Sequence, residues 1–104
     1  MRNYEIAYIA DPELDEQALQ ALEEKVKGVV ESSNGQVTKV DRWGRRRLAY
    51  PILKKADGYY VFIEAEMPPQ AGKAVERDLR FNEQVLRFMI TAVEPGKTPE
   101  PKAS

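Results

Sequence analysis

At 104 residues, with 42% apolar and 32% charged side chains and a net charge of −1, the chain has material for one modest hydrophobic core and not for two. It holds no cysteine and no histidine, which excludes disulfides, thiolate nucleophiles, zinc held by those ligands and any catalytic dyad or triad that needs an imidazole base. The opening Met1-Arg2-Asn3-Tyr4-Glu5 lacks the apolar stretch of a secretory signal, and no run approaches the roughly 18 apolar residues of a membrane span; the expectation is a cytoplasmic protein with no membrane contact, cofactor or metal.

Tyr4, Ile6 and Tyr8 alternate with other residues over positions 2 to 10, which predicts a strand with its even positions inward and Glu5, Ala7 and Ile9 on its other side. Asp15 is placed to cap a helix, with Leu14 before it and Leu19 inside it as a hydrophobic staple. Leu19, Leu22, Val26, Val29 and Val30 form one face of that helix, and Glu16, Gln20, Glu23, Glu24, Lys27 and Glu31 the other. It should end near Ser33, where Asn34-Gly35 can take the left-handed conformation.

A long second strand follows, with Val37, Val40, Leu48, Tyr50 and Ile52 inward. The parity change between Val37 and Val40 calls for one bulge, and Gly44 marks another irregularity. Pro51 cannot donate to a ladder and puts this strand on an edge. The strand carries the chain's most unusual feature: Arg42, Arg45, Arg46 and Arg47 crowd into six positions, and with Lys54 and Lys55 the stretch from 42 to 55 holds six cations and no anion, leaving −7 for everything else. Such a ridge on an acidic protein suits a polyanion or an acidic protein surface; arginines on a strand also serve simply to keep an exposed edge from pairing.

Lys55-Ala56-Asp57-Gly58 is the expected hairpin turn, because Asp-Gly favours the left-handed turn geometry. The returning strand, Tyr59 to Met67, should bury Tyr59, Val61, Ile63, Ala65 and Met67 and leave Tyr60, Phe62, Glu64 and Glu66 on the far side. Pro68-Pro69 stops it. Ala71, Val75 and Leu79 mark a second helix, and Val85 to Val93 a last strand with Leu86, Phe88, Ile90 and Ala92 opposed to Arg87, Met89 and Thr91. From Glu94 the chain turns to proline and polar residues, so the expected division is a folded domain over 1–94 and a disordered tail over 95–104.

Strand, helix, strand, strand, helix, strand is a pair of split β-α-β units. Right-handed crossovers fold this order into an α+β, ferredoxin-like βαββαβ domain, a four-stranded antiparallel sheet with two helices on one face. The other face stays open. Parity places on it Glu5, Ile9, Arg45, Arg47, Tyr60, Phe62, Arg87 and Met89, a composition suited to binding, although long side chains can also simply cover two half-exposed rings.

Gly44-Arg45-Arg46-Arg47-Leu48-Ala49-Tyr50-Pro51-Ile52, with the opening Met1-Arg2-Asn3-Tyr4-Glu5, Gly58-Tyr59, Glu66-Met67-Pro68 and Arg87, resembles the bacterial ribosomal protein S-six family over about residues 1 to 93. The resemblance implies the ferredoxin-like fold and a structural role in the small ribosomal subunit. It further implies binding to small-subunit ribosomal RNA in its central domain together with small-subunit protein eighteen. Carried over residue by residue, it implies Arg46, Arg47, Tyr60 and Phe62 in the protein-partner interface and Arg2, Tyr4 and Arg87 in contact with ribosomal RNA. Some relatives have a basic residue where Ala92 stands, which would thin the RNA surface there.

Two other functions fit the same fold. An RNA-recognition motif reads single-stranded RNA on third-strand aromatics, but Asp57 stands where a basic residue is expected and Val61 where a stacking ring belongs. An acylphosphatase-like hydrolase needs a phosphate-cradling loop, and Ala10-Asp11-Pro12-Glu13 is acidic and contains proline. No small-molecule substrate is expected. Because residues 95–104 offer almost no apolar area, their deletion should leave thermal stability unchanged within about 0.5 kcal/mol, measured by calorimetry; loss of the cooperative transition would show that they pack on the domain.

Overall fold

Apolar residues at every second position make β1 (Arg2–Ala10), β3 (Lys55–Met67) and β4 (Val85–Val93) one-sided strands, while β2 (Gln36–Ile52) is longer and mostly exposed. The computed structural model describes residues 2–93, so the tail expected at 95–104 lies outside the described residues. All neighbouring strands run antiparallel in the order β2-β3-β1-β4. The helices α1 (Glu16–Ser32) and α2 (Pro69–Arg80) complete the βαββαβ order. Ile6, Tyr8 and Ala10 of β1 and Val61, Ile63, Ala65 and Met67 of β3 pack with Leu22, Val26 and Val30 of α1 and Ala71, Val75 and Leu79 of α2 in one core. Each large aliphatic side chain fully buried there contributes about 1.5–3 kcal/mol. The ferredoxin-like architecture is therefore present, with both helices on one side.

Local signals place the helix ends where the sequence expects them. The Asp15 carboxylate accepts from the Ala18 amide at 2.8 Å, satisfying one of the amides that α1 leaves unpaired at its start. At the other end Asn34 is left-handed at φ 68°, and the Gly35 amide donates to the Val30 carbonyl at 2.8 Å. Pro69 opens α2, where it removes no helical hydrogen bond.

One acid expected on the outer face of α1 is buried. Glu23 is only 4% exposed, because Arg42 of β2 faces the helices beside Val61 and grips its carboxylate with two hydrogen bonds, both of 2.6 Å. Lys27, one turn on, adds a contact of 3.3 Å. The pair ties the edge strand to α1, where few apolar contacts hold β2 down. Burial alone would push the Glu23 carboxyl up, but the hydrogen bonds and charge of Arg42, helped by Lys27, bring it below its ordinary value.

The hairpin turn also departs from expectation. It is formed by Leu53 and Lys54, at φ 50° and 66°, and not by Lys55 to Gly58, which continue β3 and pair with β2. Asp57 and Gly58 are used for other purposes: Asp57 receives Arg45 at 3.1 Å, and Gly58 makes room for a neighbouring side chain. Extending the ladder and burying that neighbour offsets about 1–2 kcal/mol of left-handed strain at each turn residue.

Since the folded value of Glu23 lies below its unfolded one, the Glu23–Arg42 pair stabilises the fold at neutral pH. That contribution should be lost as pH falls through the acid range below about 4.5. In urea titrations, Glu23→Gln should be less stable than the parent by about 1–3 kcal/mol at pH 6 and should lose less on going to pH 3. An identical pH dependence in both proteins would contradict the assignment.

Candidate functional site

On β2, Val40 pairs with Ile63 and Arg42 with Val61, so both lie on the helix side. At Gly44, whose φ of 81° suits a residue without Cβ, the register shifts and Gly44 pairs with Tyr60 instead. Trp43 is the extra residue, and beyond it the even positions face away from the helices. Arg46, opposite Gly58, therefore shares the open face with Tyr60. Arg45 and Arg47, opposite Tyr59 and Asp57, stand on the other side, a correction to the expectation that both lie on the open face. The expected inward placement of Leu48 and Tyr50 fails for the same reason.

The open face is aromatic at this end. Tyr60 and Phe62 lie on it, half-buried, as the alternation of β3 predicts. Trp43 packs on Phe62 with ring centroids 4.6 Å apart, and its indole N–H donates to the Asp41 carboxylate at 3.1 Å. Arg46 stacks on Trp43, its guanidinium carbon 5.8 Å from the ring. Leu48 is 8% exposed but belongs to this face and not to the core beneath the helices. It lies over Gly58 together with Ile9: a Cβ on that glycine would stand 2.2 Å from Ile9 Cγ2 and 3.3 Å from Leu48 Cδ2.

Between Arg47 and Ile52 the pairing of β2 and β3 breaks, and the hairpin tip leans over the sheet. Tyr50, 55% exposed, reaches Arg87 of β4 on the far edge. Arg87 donates from Nη1 to the Tyr50 hydroxyl, and its guanidinium carbon is 5.8 Å from the Tyr50 ring. Lys55 fastens the tip to the β1–α1 loop through ion pairs with Glu13 and Asp11.

The opposite end of the face is acidic. Glu5 pairs across strands with Glu64, and Asn3 with Glu66. Burial, and then the Glu64 charge, hold the Glu5 carboxyl above its ordinary value. Lys39 opposite Glu64 offsets part of this charge. Phosphate is thus repelled from the acidic end and attracted to the arginine end.

Of the residues singled out from sequence, Arg46, Tyr60 and Phe62 come together, and Arg47 stands across the strand from them. Arg2 and Tyr4 lie at the start of β1 with helix-side parity, Arg2 exposed and Tyr4 packed partly against the core. Arg87 is on the open face opposite Ile9, roughly 23 Å further along β1 at about 3.3 Å per residue. The three do not form one patch. Trp43 and Tyr50 join the face without being expected there; the signal for both is Gly44, because a bulge there reverses every later side chain. Among the described residues no three acids gather as a metal site, and the surface clefts, between α2 and β4 and beside the α2–β4 turn, bring together no acid–base pair beyond surface charges.

Known proteins share this sequence pattern and this fold. The family model described as ribosomal protein S6 matches residues 3–92. Small ribosomal subunit protein bS6 of Clostridium novyi is 48% identical over 97 residues, covering 93% of this chain and all of that protein. Its counterpart in Desulforamulus reducens is 46% identical over 90 residues, covering 86% and 95%. The crystal structure of 30S ribosomal protein S6 from Thermotoga maritima superposes with a TM-score of 0.84 at 30% identity, covering 88% of this chain and 87% of that one.

The open face depends on the space at Gly58. Ile9 is β-branched and stiff, so Gly58→Ala should cost about 1–3 kcal/mol, read as a lower unfolding midpoint with an unchanged circular dichroism spectrum. Stability equal to the parent would mean that Ile9 and Leu48 are not packed over this glycine.

Proposed function

This chain belongs to the ribosomal protein S6 family, and from that membership we propose that it binds central-domain small-subunit ribosomal RNA jointly with small ribosomal subunit protein eighteen. It is a structural ribosomal component and not an enzyme, and it works with the ribosome in the cytoplasm. The observation that carries the proposal is the open sheet face, where Trp43, Phe62, Tyr60 and Arg46 form an aromatic and cationic surface on the side away from α1 and α2. A face of this character suits a protein partner: rings supply area at small entropic cost, and arginine supplies several donors.

The chain is a weak RNA ligand by charge alone. It nets −1, and residues 11 to 31 carry seven acids against two lysines. The protein partner supplies the cations that neutralise most phosphates, while this domain fixes the partner's orientation and adds contacts from Arg2, Tyr4 and Arg87. Family membership also replaces the RNA-recognition-motif reading. In such a motif bases stack on free third-strand rings, whereas here Trp43 covers Phe62, and Glu5 and Glu64 occupy the two central strands.

Binding should therefore be cooperative. The heterodimer should show a steeper fall of log affinity with log salt than this chain alone. Arg46→Glu with Arg47→Glu should abolish heterodimer formation with the fold intact, Arg46→Glu giving the larger part because it faces Trp43. Arg87→Ala should leave the heterodimer formed and weaken its RNA complex by roughly 1 kcal/mol or more. Tight, specific RNA binding by the isolated chain, unaffected by adding the partner, would overturn the proposal.

A further inference from the structure

We infer that Tyr50 is a positioning residue for Arg87, holding its guanidinium out from the open face so that it meets a phosphate of the RNA; the inference rests on the RNA role proposed for Arg87. The two residues are 37 positions apart and sit on opposite edges of the sheet, with β3 and β1 between them. They meet because the bulge at Gly44 turns the even positions of β2 outward and the hairpin tip leans across. Tyr50 is itself held in place: the turn at Leu53 and Lys54 comes three residues on, and Lys55 is pinned to Glu13 and Asp11.

The chemistry of the contact favours an anion-binding role over a purely structural one. Among the described residues Arg42 is paired with Glu23, Arg45 with Asp57 and Arg80 with Glu76, so a carboxylate offsets each of those charges. Arg87 is held instead by a neutral ring and hydroxyl. The tyrosine uses one N–H and lies within cation–π range, which orients the fork without cancelling its charge. The remaining donors stay on an exposed side chain, and a planar fork with free donors matches the paired oxygens of a phosphate. An unbraced arginine loses rotamer freedom on binding; a braced one has lost part of it already. Arg46 over Trp43, on β2, is a second arginine held against a ring.

Two measurements test this on the full chain. In the free protein, nuclear magnetic resonance of the Arg87 guanidinium should show distinct Nη1 protons, with rotation about the Cζ–Nη1 bond slowed by the Tyr50 contact, that collapse to one averaged signal in Tyr50→Ala. In the heterodimer, binding to a central-domain RNA fragment at fixed salt should weaken about tenfold in Arg87→Ala and about two- to fivefold in Tyr50→Ala. Tyr50→Phe, which keeps the ring and is the milder change to the fold, should recover part of the loss. In an Arg87→Ala background, Tyr50→Ala should have no further effect. If Arg87→Ala weakens RNA binding but both Tyr50 variants bind as the parent does, or if the Tyr50 effect persists without Arg87, the positioning role is wrong. If Tyr50→Ala weakens heterodimer formation and not RNA binding, the pair serves the protein partner and the inference is likewise overturned. If Arg87→Ala leaves RNA binding unchanged, it is the underlying RNA role that fails.

Discussion

The arrangement of the binding face follows from a single extra residue. A β-strand shows its side chains alternately to two sides, so one inserted residue inverts everything downstream. In β2 that insertion is Trp43, made possible by the left-handed backbone of Gly44. Before it, Arg42 points under the sheet and binds Glu23; after it, Arg46 and Leu48 lie on the open side. Without the bulge Arg46 would be turned toward the helices and Arg45 and Arg47 away from them. The same insertion increases the bend of the strand, which brings the hairpin tip, and Tyr50 with it, over the sheet.

Five of the eight arginines divide into two kinds by what holds them. Those paired with carboxylates anchor structure: Arg42 fastens an edge strand to α1, Arg45 crosses the hairpin to Asp57, and Arg80 closes one turn of α2. Those stacked on rings keep their charge for a partner. A buried or half-buried carboxylate lowers the local potential, and an aromatic ring leaves it nearly unchanged. Net charge therefore says little about function here, since the −1 total hides an acidic end and a basic end on one sheet face.

Most of the fold was legible in the sequence because alternation and helical spacing are strong over the core strands and both helices. The caps at Asp15 and Asn34 and the parity of Tyr60 and Phe62 needed no tertiary information. What escaped was set by contacts distant in sequence. Asp57-Gly58 carries a turn signature, yet Gly58 is needed for the approach of Ile9 and Asp57 for Arg45, so the turn moved to Leu53 and Lys54. Glu23 carries a surface signature, yet Arg42 reaches it from β2. Gly44 marks an irregularity in the sequence, but which residue bulges there, and so which way Leu48, Tyr50 and the arginines face, is decided by pairing with β3.

The strand order β2-β3-β1-β4 also sets how the domain can come together during synthesis. β1 is made early and lies in the middle of the sheet, where both its edges are filled by strands from the second half of the chain. Its partners reach from Lys55 to Val93, and at about 5–20 residues per second they arrive seconds later. Until then Ile6, Tyr8 and Ala10 have no finished core, and two rows of backbone groups stay open to whatever strand is nearby. Only α1, whose cap and staple are local, can form in the interval. A nascent chain halted before β4 would hold both helices and β3 on one edge of β1, and would leave the other edge of β1 unguarded.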